Sequence, residues 1–176
     1  MADEQLLTLA KILGRLLNKH SLVLSLAESC TGGMVSQFIT AIPGSSAWFD
    51  RAFISYSNQA KIEMLKVSMQ TLNNFGAVSE QTAHEMALGA LNNSAANIAA
   101  SMTGIAGPDG GSDAKPVGTV CFGFTVKPPL NNPLNKTKRQ VDTHTQYFIG
   151  DRHAIRQQAT HYVLQTLITL TLTLDL

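Results

Sequence analysis

Between Asp3 and Lys19 the apolar residues Leu6, Leu9, Ile12, Leu13, Leu16 and Leu17 recur at three- and four-residue intervals, which places them along one face of a helix. The pattern then shortens. Leu22 to Ala27 is almost wholly apolar, as a strand buried on both faces would be, and it runs into Glu28-Ser29-Cys30-Thr31-Gly32-Gly33 before a helical stretch from Met34 to Thr40. Beyond the Pro43-Gly44 turn a second strand is predicted over Ala52 to Ser55, and a helix from Gln59 to about Lys66. Ser68 to Phe75 and Glu80 to Leu91 read as helices, the first closed by Gly76. Ile98 to Met102 is a third apolar strand and opens into the glycine-rich run Gly104 to Gly111. Val117 to Val126 and Val141 to Ile149 read as a strand pair, and Gly150-Asp151 starts a final helix. Thr169 to Leu174 alternates with period two, so a strand and a continued or fraying helix both remain open.

Strands alternating with helices predict an α/β chain of three layers, an α/β/α sandwich, and the hairpin makes its sheet mixed and mostly parallel. The 176 residues fit one domain, 1–176. A hydrophobic share of 44% against 14% charged residues is enough to build a core and excludes global disorder. With a formal charge of +1 the chain lacks the electrostatic footprint of a nucleic-acid or anionic-membrane binder. The acidic opening Met1 to Gln5 is unlike a signal peptide, and no apolar run reaches the roughly eighteen residues of a membrane span. Cys30 and Cys121 form no CxxC spacing and suit a reducing compartment. A cytoplasmic protein is expected. Lys127 to Gln140, rich in proline, asparagine and basic residues, reads as an exposed loop.

Candidate chemistry begins at the turn after the first strand. A strand, a small-residue turn and a helix place a side chain at the strand's carboxyl edge beside free helix amides. Ser29 occupies that turn; its hydroxyl suits a nucleophile, and amides from Cys30 to Gly33 suit an oxyanion. Helix capping by Ser29 or Thr31 is the plainer alternative, and Cys30 is a rival nucleophile. His20, His84, His144, His153 and His161 are scattered without ligand spacing, so no metal site is expected. Lys61 is the alternative base. With Asn58 as cap it falls in the first turn of its helix, where the dipole disfavours the ammonium; a solvated surface lysine is the competing reading. A working Lys61 must be buried and within hydrogen-bond reach of Ser29. The Gly104 to Gly111 loop matches no named nucleotide motif but can bring backbone amides to an anion. Arg152 and Arg156 share one face at a helix start, either as an anion clamp or as a solvated face. Trp48, Phe49 and Tyr56 could form a flat apolar wall, or simply pack in the core. Ser112-Asp113-Ala114-Lys115 matches SxxK, but Pro116 and the flanking glycines deny it a helix.

The stretches AESCTGG (27–33), PGSSAWFDRAFISYSNQAK (43–61), GAVSE (76–80), TGIAGPDGGSDAKPVGTV (103–120) and GDRHAIRQQA (150–159) together resemble the nicotinamide-nucleotide amidases, the CinA C-terminal-domain family. The resemblance implies a three-layer fold, hydrolysis of the carboxamide of nicotinamide mononucleotide in pyridine-nucleotide salvage, no metal or other cofactor, and a homodimer. It assigns the catalytic roles to Ser29, Lys61 and Tyr56, and substrate contacts to Thr31, Gly32, Gly33, Thr103, Gly104, Gly107 and Arg152. A rival from another class is a non-catalytic nucleotide-binding module built on the same glycine loop.

Overall fold

The computed structural model describes residues 2–127 and 140–174. In chain order the elements are α1 (Ala2–Lys19), β1 (Leu24–Glu28), α2 (Met34–Thr40), β2 (Phe49–Ile54), α3 (Asn58–Leu65), α4 (Met69–Phe75), α5 (Glu80–Asn92), β3 (Ile98–Gly104), β4 (Thr119–Val126), β5 (Val141–Tyr147) and α6 (Arg152–Leu172). The predicted elements are all present, with ends shifted by a few residues. The Lys127 to Gln140 loop lies, apart from its two ends, outside the described residues.

One five-stranded sheet runs in the order β2-β1-β3-β4-β5. β2, β1 and β3 are mutually parallel, while β4 is antiparallel to both its neighbours, so β4 alone runs against the rest. Alternation along each strand feeds two cores. Leu24 and Leu26 of β1, Ile98, Ala100 and Met102 of β3, and Val120, Phe122 and Phe124 of β4 pack with Leu6, Leu13 and Leu17 of α1, Val35 and Ile39 of α2, and Val163, Leu164 and Leu167 of α6. On the other face Ala27 and Ala99 meet Leu65, Val67, Leu72, Met86 and Ala90 from the α3 to α5 side. The result is the expected sandwich, with α1, α2 and α6 on one face of the sheet.

Two open readings close here. Residues 169–172 continue α6 and Thr173 is its C-cap: Thr169 and Thr171 hydroxyls donate to the carbonyls of Gln165 and Leu167, four residues back, and Leu167, Ile168 and Thr171 are buried at helical spacing. The apolar wall does not form. Trp48 is buried against Gly14, where a β-carbon would come within 2.6 Å of the indole, and Tyr56 stands apart from it at the surface.

Candidate active site

Because β1, β2 and β3 are parallel, their carboxyl ends share one edge, and β1 lies where the chain order reverses, with β2 on one side and β3 on the other. Open α/β sheets place ligands in the crevice beyond that point. Ser29 is the first residue past β1; its N–H donates to Met102 O of β3 at 3.0 Å. Ser55 and Tyr56 leave β2 beside it, with Ser55 N–H donating to Glu28 O at 2.9 Å.

Ser57, rather than Asn58, caps α3, its hydroxyl accepting from Ala60 N–H. Lys61 therefore sits in the fourth helical position, its own N–H already donating to Ser57 O at 3.1 Å, so the dipole contribution expected of a first-turn residue is reduced. Lys61 is nevertheless turned inward and only 1% exposed. Its Nζ lies 3.0 Å from Ser29 Oγ, 2.8 Å from Ser55 O and 3.3 Å from Tyr56 O. Burial pushes the Lys61 amine below the ordinary lysine range. Ser29 itself is 7% exposed. Cys30 is buried next to it, and burial pushes its thiol up to about 12, which leaves it protonated and a poor nucleophile at neutral pH.

The cavity in front of this pair measures about 150 Å³ and is lined by Ser29, Cys30, Tyr56, Lys61, Ala77, Val78, Thr103, Gly104, Ala106 and Arg152. Thr103 Oγ1 donates to Ala77 O at 2.8 Å, fixing that wall. A β-carbon at Gly104 would approach Thr119 O to 2.7 Å, so glycine is required there. Arg152 Nη1 donates to Gly107 O at 2.9 Å and Nη2 to the Tyr56 hydroxyl at 3.0 Å, drawing the glycine loop and Tyr56 together at the mouth. The Tyr56 carbonyl, not its phenol, meets Lys61. Gly107 contributes through its carbonyl to Arg152 and is not among the lining residues. A larger cavity of about 390 Å³ between α1 and α6 is lined by Gln5, Leu6, Phe148, His161 and Tyr162 among others, and contains no comparable nucleophile and base.

Thr31, Gly32 and Gly33 form the turn behind the cavity rather than its lining. Gly32 and Gly33 have φ of +58° and +92°, which glycine alone adopts freely. The oxyanion expectation narrows accordingly: Gly32 N–H donates to Ser29 O and Gly33 N–H donates to Glu28 Oε2 at 2.9 Å, while the Cys30 and Thr31 amides face the Cys30 sulfur. Arg156 is not part of an anion clamp, since its Nε and Nη2 donate to Thr31 O at 3.2 and 2.7 Å and tie the turn to α6. The SxxK segment is a turn in which Ser112 and Lys115 exchange backbone hydrogen bonds; Lys115 Nζ donates to Phe75 O and Val78 O.

Two features escaped the sequence reading. Glu28, at the end of β1, is fully buried and accepts from the Thr31 hydroxyl, the Gly33, Val35 and Ser36 amides, and the Ser36 hydroxyl. A carboxylate closing an apolar strand was the available signal. The Ser55 and Tyr56 carbonyls that hold Lys61 had none, because a main-chain acceptor leaves no trace in residue type.

A three-layer α/β fold with a buried serine and lysine in contact at the sheet's carboxyl edge is the class these features define. The chain belongs to the CinA C-terminal domain family, whose model matches residues 6–171. Two relatives named nicotinamide-nucleotide amidohydrolase PncC, from Enterobacter agglomerans and Escherichia coli strain K12, are 51% and 48% identical to it, over 94% and 95% of this chain and 95% of each relative. The crystal structure of the competence/damage inducible protein CihA from Agrobacterium tumefaciens is 42% identical, with a TM-score of 0.85 over 94% of this chain and 95% of that one.

Proposed function

We propose that this protein hydrolyses the carboxamide of nicotinamide mononucleotide to nicotinate mononucleotide and ammonia, with Ser29 as nucleophile and Lys61 as its base. The observation that carries the reading is the 3.0 Å approach of Lys61 Nζ to Ser29 Oγ, both side chains buried at the base of the cavity. A neutral amine has two N–H donors and one lone pair. The Ser55 and Tyr56 carbonyls can only accept, so they take the two hydrogens and leave the lone pair for the Ser29 proton. Names carried by relatives about half identical to the chain support the substrate.

As the Ser29 proton passes to Lys61, the Oγ–C bond forms at the carboxamide carbon and the carbonyl oxygen takes the negative charge. The amide of Cys30, a residue that lines the cavity, is the proposed donor to that oxyanion. The C–N bond then breaks; Lys61 returns the proton to the departing nitrogen, leaving an ester on Ser29. Water attacks this ester, gives its proton to Lys61, and Ser29 Oγ leaves protonated by the same amine. Tyr56 and Arg152 stand at the mouth, where the ribosyl phosphate of a substrate entering carboxamide-first comes to lie. The reading includes a cytoplasmic location, in keeping with two free buried cysteines, and the homodimer implied by the family.

Ammonia release from the mononucleotide, the riboside and the dinucleotide tests the proposal. Turnover is expected for the mononucleotide, with Ser29→Ala folded and nearly inactive and Cys30→Ala retaining most activity. Tight binding without ammonia release would instead favour the nucleotide-binding module, and a dead cysteine variant beside a live serine variant would reverse the nucleophile.

A further inference from the structure

We propose that Glu28 is a positioning residue for the Ser29–Lys61 pair, holding the nucleophile's turn and the base's carbonyl cradle in one register. The inference rests on the reading of Ser29 and Lys61 given above and adds a residue that touches neither reacting atom.

The side chain and the main chain of Glu28 act in opposite directions. Its carboxylate gathers Thr31 Oγ1 at 2.7 Å, Gly33 N–H at 2.9 Å, Val35 N–H at 3.3 Å and Ser36 N–H at 2.9 Å, together with the Ser36 hydroxyl. These donors span the turn that follows Ser29 and the start of α2. The helix's own N-cap, Gly33, has no side chain with which to accept them. Its carbonyl, meanwhile, accepts from Ser55 N–H, and the Ser55 carbonyl is the shortest contact of Lys61 Nζ. Ser29 is thus anchored on one side and Lys61 on the other by a single buried residue adjacent to the nucleophile.

A helix cap alone would need one or two of these bonds. Glu28 also fixes the hydroxyl of Thr31, two residues past the nucleophile, and gathers the Gly33, Val35 and Ser36 amides at one carboxylate. What it leaves for catalysis is a serine oxygen and a lysine nitrogen whose separation is set by two strand ends and one carboxylate.

The decisive variant is Glu28→Gln, which fits the space but presents an NH2 group to donors that need an acceptor. Steady-state ammonia release is measured on the full chain, with rates corrected for the folded fraction by near-ultraviolet circular dichroism. The expected result is kcat lowered about 100-fold, the cost of a displacement on the order of 1 Å between reacting groups, with KM nearly unchanged. Wild-type kcat per folded molecule, or a raised KM with kcat intact, would overturn the proposal and leave Glu28 a cap or a binding residue. If Glu28→Gln does not fold, Thr31→Val, which removes one turn donor without stranding a carboxylate, carries the same comparison: lowered kcat at constant KM supports positioning, and unchanged kcat overturns it. Ser29→Ala is assayed alongside. Turnover by that variant would sink the nucleophile reading itself, whereas an inactive Ser29→Ala beside a fully active Glu28→Gln sinks only the role of Glu28.

Discussion

At Lys61 two effects oppose each other. The Ser55 and Tyr56 carbonyls favour an ammonium, while removal from water disfavours any charge, and the net direction is downward because burial dominates. The sign for activity follows. The base works as the free amine, so kcat/KM should climb with pH along an acidic limb and level off once Lys61 has lost its proton, with an inflection below the ordinary lysine value. Lys61→Arg should lose activity by roughly 10²- to 10⁴-fold, since a guanidinium keeps its proton throughout. A rate that keeps climbing with pH through the ordinary lysine value, or an active arginine variant, would take the lysine out of the mechanism. Much of this was legible beforehand. A serine in a strand-to-helix turn and a lysine near a helix start are local features of the chain. The carboxylate of Glu28 was not, because its donors lie three to eight residues ahead and converge only once two glycines have reversed the backbone.

The elements tell a similar story of local signals read correctly until two of them compete. Ser68, Ser79 and Asp151 cap α4, α5 and α6 through side-chain oxygens, which places Ser68 just outside the helix the sequence predicts it to begin. At the start of α3, Ser57 and Asn58 are both capable caps, and only the fold selects the serine. The threonine-rich end of α6 misleads for another reason: period two in composition coincides with hydroxyls that bond back along the helix. The first two turns of α6 bring Arg152 to the cavity mouth and Arg156 to the Ser29 turn, so the two arginines have different duties despite sharing a face. Arg152→Ala should raise KM for the mononucleotide by about 10-fold, and much less for the riboside, if a charge-assisted bond to phosphate is lost. Equal losses on the two substrates would assign Arg152 to holding Gly107 and Tyr56 instead.

On the scale of the whole molecule, strand order determines where chemistry can occur. Reversal at β1 opens a crevice at the end of the sheet, and three strand ends deliver the serine, the carbonyl cradle and the Thr103–Gly104 wall to it without any long-range motif in the sequence. That cavity of about 150 Å³ makes its lysine both secluded and basic in the free form. Seclusion of this kind inverts the usual order of chemical labelling. Cyanate is small, and it carbamylates only unprotonated amines, so brief exposure at neutral pH should modify Lys61 ahead of the exposed Lys11 and Lys19. A bulky acylating reagent should show the reverse order. Peptide mapping by mass spectrometry would read both, and a buried lysine that reacts ahead of exposed ones with so small an electrophile would display, without substrate, an amine held ready to take a proton.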